Sequence, residues 1–292
     1  MESSEGAVME HPVVVVGAGP IGLAAAANAI ERRLPVLVLE AGPEAGAAVA
    51  AWSHVRLFSA WSELIDPAAR RLLEAAGGWT APDAEAYPTG EEWLEGYLRP
   101  LAALIAGAPE APDAPDVSIR YDARVVGVAR AGRDVMVDSG RENDPFAVHV
   151  ETPAGRERII ARAVVDASGT WTSPNPLGSD GYPALGEPEH ADRITYGIPD
   201  LADPAVASRY AGRHVVVAGK GASAQGVLVG LATIAKDAPD TRVTWLLRRP
   251  RVGDAFGGGD NDQLVQRGAL GQQARAAAGS GLVTTVTSFR TT

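Results

Sequence analysis

The run PVVVVGAGPIG, Pro12 to Gly22, sets four β-branched residues against a turn containing three glycines. Val13 to Val16 is apolar on both faces, as suits a central strand of a parallel sheet. Gly17, Gly19 and Gly22 stand at the spacing G-x-G-x-x-G, with Pro20 and Ile21 inside it. Leu23 to Ile30 is alanine-rich and reads as a helix. PVLVLE follows as a second strand and ends at Glu40, 18 residues beyond Gly22. The physical logic is that of a dinucleotide site. Gly17 permits the tight turn, Gly19 lets a pyrophosphate approach the backbone, and Gly22 lets helix and strand pack closely. The helix N-terminus offers unpaired N–H groups to phosphate, and Glu40 can accept from a ribose hydroxyl. The ordered succession of strand, turn, helix, strand and acid gives the motif its weight. A glycine-rich βαβ unit without a ligand is the alternative.

The pattern returns about two hundred residues later in HVVVAGKGASAQG, His214 to Gly226. Val215 to Ala218 reads as another buried strand. Gly219, Gly221 and Ala224 give G-x-G-x-x-A, with Lys220 and Ser223 between them. Ala222 to Ala235 continues as a helix, DAPD breaks it, and RVTWLLRR supplies the next strand. Where the first unit carries Glu40, this one carries Arg248 and Arg249. A carboxylate there repels a 2′-phosphate, whereas guanidinium binds phosphate in a fixed bidentate geometry. The second site is therefore expected to prefer NADPH to NADH. Lys220 is one of only two lysines, with Lys236 the other. A solvated turn charge is its alternative reading, and a plain surface cluster is that of the arginine pair.

Between the turns lies a stretch, Ala41 to Ala75, in which Trp52, Phe58 and Trp61 are candidates to face a bound ring, and Trp52 and Arg56 are candidates to bind cofactor. Core packing is the other use of such aromatics. Thr89 to Glu92 is a capping box, opening a helix with Trp93, Tyr97, Leu98 and Leu101 on one core-facing stripe. Ala108 to Asp116 reads as a polar linker. The segments from Val117 to Ala167 read as short alternating strands forming an antiparallel meander, with Thr152 to Gly155 as a hairpin turn. The last strand, expected to be buried, runs into Ala167-Ser168-Gly169, followed by Pro174 and Pro176. The fold expected is α/β, with two Rossmann-like domains: 1–172, with a helical insert at about 60–107, and 173–292.

Composition excludes several function classes. The 292 residues are 46% hydrophobic and 21% charged, ordinary for a globular chain, and their net charge is −10. Nucleic acid and anionic membranes repel such a chain, so the partner expected is a small-molecule substrate, with a homo-oligomer possible. With no cysteine there is no disulfide, thiolate metal site or redox dithiol. The five histidines lack metal-ligand spacing, and no Ser/His/Asp constellation stands out, so no metal is expected and no catalytic side chain is named. Val13 to Ile30 is uncharged, but glycines and Pro20 interrupt it. The preceding MESSEGAVMEH is acidic, the wrong sign for a signal peptide, so the expected location is cytoplasmic.

The two turns, with Ala167-Ser168-Gly169 standing where a flavoprotein carries Ala-Thr-Gly, resemble the two-dinucleotide-binding flavoprotein oxidoreductases. Within that group the chain is most similar to flavin-containing, class B monooxygenases. Gly186-Glu-Pro-Glu-His190 fits their Gly-x-x-x-His signature, although Ala184 stands where they carry Phe and the trailing aromatic is displaced to Tyr196. DPAARRLL and PTGEEWLEGYLRPLA also resemble the helical insert of bacterial relatives. The resemblance implies FAD along the first turn, near Ser168 and Gly169, and NADPH along the second. Hydride passes from NADPH to flavin, and oxygen is then transferred to a small organic substrate. Relatives continue past the second site and return to the FAD domain, whereas this sequence stops at Thr292. The expectation is an open flank beside the flavin, and the rival reading is a truncated, non-catalytic nucleotide-binding relative.

Overall fold

The computed structural model describes residues 11–107, 115–257 and 261–292. Two compact units divide the chain: residues 1–53 with 60–172, and residues 54–59 with 173–292. Most of the linker read at Ala108 to Asp116, and the acidic segment before His11, lie outside the described residues.

In the first unit β1 (Val13–Val16), β2 (Val36–Leu39), β3 (Val117–Arg120) and β7 (Ala163–Asp166) form a parallel sheet in the order β3-β2-β1-β7. Val14 and Val15 are both fully buried, which is why this central strand is apolar on both faces. Alternation sends Val14, Leu37 and Leu39 to one face, where they meet Val148, Val150 and Ala161. Those three belong to the antiparallel sheet of β4 (Arg124–Arg130), β5 (Phe146–Thr152) and β6 (Gly155–Ala161). Thr152 pairs with Gly155 at its hairpin. The opposite face of the parallel sheet receives α1 (Pro20–Glu31), whose Leu23, Ala26 and Ala27 are fully buried.

Two expectations are corrected here. Val117–Arg120 does not join the meander; it pairs parallel with β2, Val117 opposite Val36. A four-residue strand has the same period-2 pattern in either sheet, and its partner is set by where the preceding helix delivers it. The strand ending at Asp166 also stays out of the meander, pairing parallel with β1, and it is not buried throughout, because it sits at the sheet edge with Val165 37% exposed.

The insert folds as α2 (Pro67–Ala76), a capped turn (Gly90–Trp93), a π-turn (Leu94–Leu98) and α3 (Arg99–Ala106). Asp66 caps α2 by accepting from the N–H groups of Ala68 and Ala69. At the next helical start, Thr89 and Glu92 complete the capping box. The π-turn precedes Pro100, whose missing N–H interrupts the ordinary ladder, so that Arg99 N–H reaches back to Leu94. Trp93, Tyr97, Leu98 and Leu101 are all buried. Burial also raises the Tyr97 phenol above its ordinary pKa.

The second unit is a three-stranded parallel sheet, β10-β9-β8, made of β8 (His214–Ala218), β9 (Arg242–Leu246) and β10 (Val283–Val286). With α4 (Ala222–Asp237) and α5 (Val265–Gly279), its core gathers Val217, Trp245, Val283, Leu228, Leu231 and Ala274. The reading of β8 as buried fails on its other face: Val216 is 52% exposed. Both helices pack on the face of Val217 and Trp245, leaving Val216, Thr244 and Thr284 aligned across the opposite one. Among the described residues no helix is long and apolar enough to cross a membrane.

Candidate functional site

The two glycine turns are built alike. At the first, Gly17 N–H donates to Leu39 O of the neighbouring strand at 2.7 Å; at the second, Gly219 N–H donates to Leu246 O at 3.1 Å. Each turn is thereby fixed at the C-terminal end of its parallel strands, where α/β sheets bind ligands.

The glycines separate by role. Gly17 has φ +98°, and a Cβ on it would lie 2.7 Å from Ala167 O. A Cβ on Gly22 would lie 1.8 Å from Gly17 O. Both are therefore required by the protein's own packing. Gly19 is different. Its φ is −78°, which any residue adopts, and a Cβ there would meet nothing within 4 Å. Gly221 repeats this, with φ −68° and nothing within 4 Å. The free space before these two residues could admit a phosphate. Each is also the N-cap of a helix with no side-chain cap and no acid in its first turn. Unclaimed N–H groups and the positive end of the helix dipole both favour an anion. Pro20 opens α1, and Ile21 beside it is 69% exposed.

Glu40 holds the first turn. Its carboxylate accepts from Ala18 N–H at 2.6 Å and from Gly42 N–H at 2.7 Å, while Ala18 O accepts from Gly46 N–H at 3.0 Å. Each carboxylate oxygen has a further lone pair, so acceptance from a ribose hydroxyl remains open. Beside the turn, Asp166 accepts from both the N–H and the hydroxyl of Ser168, and this holds its carboxyl below the usual range. Gly169 follows at φ +68°. The structure thus brings Gly17, Gly19, Gly22, Glu40, Ser168 and Gly169 to one sheet end. Trp52 is half-buried, and two of its ring atoms lie 3.1 Å from where a Cβ on Gly90 would stand. Arg56 is exposed in the 54–59 stretch that groups with the second unit.

In the second unit the residue matching Glu40 is Leu247, which is 2% exposed, since it follows the strand residue that accepts from the turn. No carboxylate stands there, and the exposed Arg248 and Arg249 come next. Lys220, Gly221 and Ser223 are likewise exposed on the turn. Two residues not read from the sequence grip this turn from within. Trp245 Nε1 donates to Gly219 O at 2.7 Å, and Gln225 Nε2 donates to Lys220 O at 3.1 Å and to Ala255 O at 2.7 Å. A strand tryptophan and a first-turn glutamine carry no local signal of such a task. Among the described residues no cluster of His, Asp and Glu could hold a metal ion.

The family model for FAD dependent oxidoreductases matches residues 12–170, more than half of the chain. The chain belongs to the FAD dependent oxidoreductase family. The matched segment holds the first turn, Glu40 and Asp166 to Gly169 of this family member. None of the curated proteins matches its sequence. Solved structures share the fold. The bacillithiol disulfide reductase Bdr (YpdA) from Bacillus cereus aligns with TM-score 0.61 and 19% identity, over 95% of this chain and 68% of its own. The same reductase from Staphylococcus aureus aligns with TM-score 0.60 and 16% identity, over 95% and 66%. A mutant form of a flavin monooxygenase from Stenotrophomonas maltophilia gives 0.57 and 21%, over 95% and 69%. This FAD dependent oxidoreductase chain thus spans about two thirds of the length of these neighbours. At such identities the likeness is one of fold.

Proposed function

We propose that the chain is an NADPH-dependent flavoprotein of the monooxygenase type, with FAD along the first turn and NADPH along the second. The observation that carries this reading is the pair of uncapped turns with free space before Gly19 and Gly221, where the strand that follows ends in Glu40 for the first and in Arg248 and Arg249 for the second. The FAD pyrophosphate lies against Gly19 and the start of α1, and Glu40 addresses the ribose. Lys220 and the N–H groups opening α4 take the NADPH diphosphate, while Arg248 and Arg249 take its 2′-phosphate. FAD supplies the two-electron redox chemistry, and the protein orients the partners and controls access to them. The monooxygenase reading is favoured over that of a disulfide reductase because these 292 residues hold no cysteine and so no thiol pair to exchange. The substrate is then a small organic molecule that accepts one oxygen atom.

Cofactor choice is the sharpest test. Changing Arg248 and Arg249 together to Ala is expected to weaken NADPH binding by about 30- to 1,000-fold, from two charge-assisted contacts discounted for exposure. NADH binding should hardly change. Titration of purified protein with both nucleotides decides it, and equal loss for the two would remove the 2′-phosphate assignment. Visible flavin absorbance of the same preparation tests the first turn.

A further inference from the structure

We infer that Trp245 and Gln225 are positioning residues that aim two successive N–H groups of the second turn, those of Lys220 and Gly221, at the nucleotide diphosphate; this rests on the reading of that turn as the NADPH site. The peptide unit is planar and trans, so a carbonyl and the N–H that follows it point in opposite directions. Trp245 is fully buried on β9, and its indole N–H holds Gly219 O toward the core at 2.7 Å. The Lys220 N–H in the same peptide plane therefore points outward. Gln225 is 8% exposed and spans from Lys220 O to Ala255 O. Fixing Lys220 O in this way directs the Gly221 N–H away from it. Two adjacent N–H groups held in this manner form a concave anion site.

The turn needs such help because it is Gly-Lys-Gly, with Gly219 at φ +112° and open space around Gly221. Left alone, it would have to be ordered by the ligand at a cost to affinity. The first turn solves the same problem with Glu40, which consumes the Ala18 N–H. Among the described residues no side chain accepts from the Lys220 N–H, so this donor is kept for the ligand. Trp245 also belongs to the strand that leads to Arg248 and Arg249, so one side chain ties the diphosphate half of the site to the 2′-phosphate half.

The test uses the whole chain with Trp245→Phe and Gln225→Met, each removing the donor while keeping most of the volume. Phe256→Leu serves as the packing control, since Phe256 packs against Trp245 in a tilted arrangement with ring centroids 5.6 Å apart. Three probes are titrated: NADPH, NADH and adenosine 2′-monophosphate, which has the 2′-phosphate but no diphosphate. Each donor-less variant is expected to weaken NADPH and NADH by the same factor, about 5- to 50-fold, and to leave adenosine 2′-monophosphate unchanged. Phe256→Leu should lower Tm without moving any affinity. Unchanged NADPH affinity in Gln225→Met, or equal loss for adenosine 2′-monophosphate, overturns the inference. Should Trp245→Phe not fold, Gln225→Met carries the test alone. Wild-type protein that binds none of the three overturns instead the reading of the turn as a nucleotide site.

Discussion

Gly19 and Gly22 stand three positions apart and are glycine for opposite reasons, which substitution to alanine separates. At Gly22 the new Cβ falls 1.8 Å from Gly17 O, so the turn must deform. The expected cost is about 1–3 kcal/mol or more, as for other overpacked sites, read as a lowered denaturation midpoint. At Gly19 nothing lies within 4 Å. Loss of a favourable N-cap, about 0.5–1 kcal/mol, is offset by about 0.4–1 kcal/mol from a stiffer unfolded chain. Compared free of flavin, Gly19→Ala should therefore keep the wild-type Tm yet fail to take up flavin, and near-normal flavin content in the variant would mean that the turn is structural only. These glycines were legible because their spacing is local. Trp245 and Gln225 were not, because their acceptors on the turn become apparent only when strand and helix are packed. Trp52 shows the converse: an aromatic that faces a ligand and one packed on a helix start look the same in sequence.

Among the elements, the segment Leu177 to Tyr196 shows how a half-met signature can hold a node of another kind. Glu187, inside Gly186–His190, accepts from Leu177 N–H at 3.0 Å, from Ala184 N–H at 2.7 Å and from the Tyr196 hydroxyl. The Tyr196 bond, ahead of the backbone donors, holds the Glu187 carboxyl below its usual range. Desolvation first, and then the bond to Glu187, pushes Tyr196 up to about 12. A folded pKa above the unfolded value of about 10 favours the protonated phenol. Its contribution is fully present below pH 10 or so and fades as pH rises through about 12. Ultraviolet difference titration of wild type against Tyr196→Phe should show the missing phenol ionising near 12, and a component near 10 would show that the node does not form. The strands β1 and β2 were legible because each is buried on both faces by its own residues. The open face of β8 was not, since whether a layer covers a valine strand depends on elements distant in sequence.

At the scale of the whole molecule, each unit closes its own core, one around Val14 and Val148 and the other around Leu228 and Trp245. Ligand linkage should then be local. A nucleotide at 100 times its Kd stabilises the unit that binds it by about 2.7 kcal/mol. Amide hydrogen exchange should accordingly show FAD slowing residues of the first unit around Gly19, and 2′,5′-ADP slowing those around Gly221. Protection of the same amides by both ligands would contradict separate sites. The net charge of −10 makes local cations the more necessary for such anionic ligands.

Those cations are almost all arginine, and that has a practical consequence for Lys220. An acylating reagent that attacks primary amines passes over guanidinium groups, and among side chains it finds only Lys220 and Lys236. Lys220 is exposed on the second turn, whereas Lys236 lies in the last turn of α4, at the far end of the same helix. One amine thus stands on the turn just before the helix and the other in its last turn, a reporter and its internal reference. The ratio of their modification, read from a single peptide digest, measures occupancy of the turn without any assay of turnover.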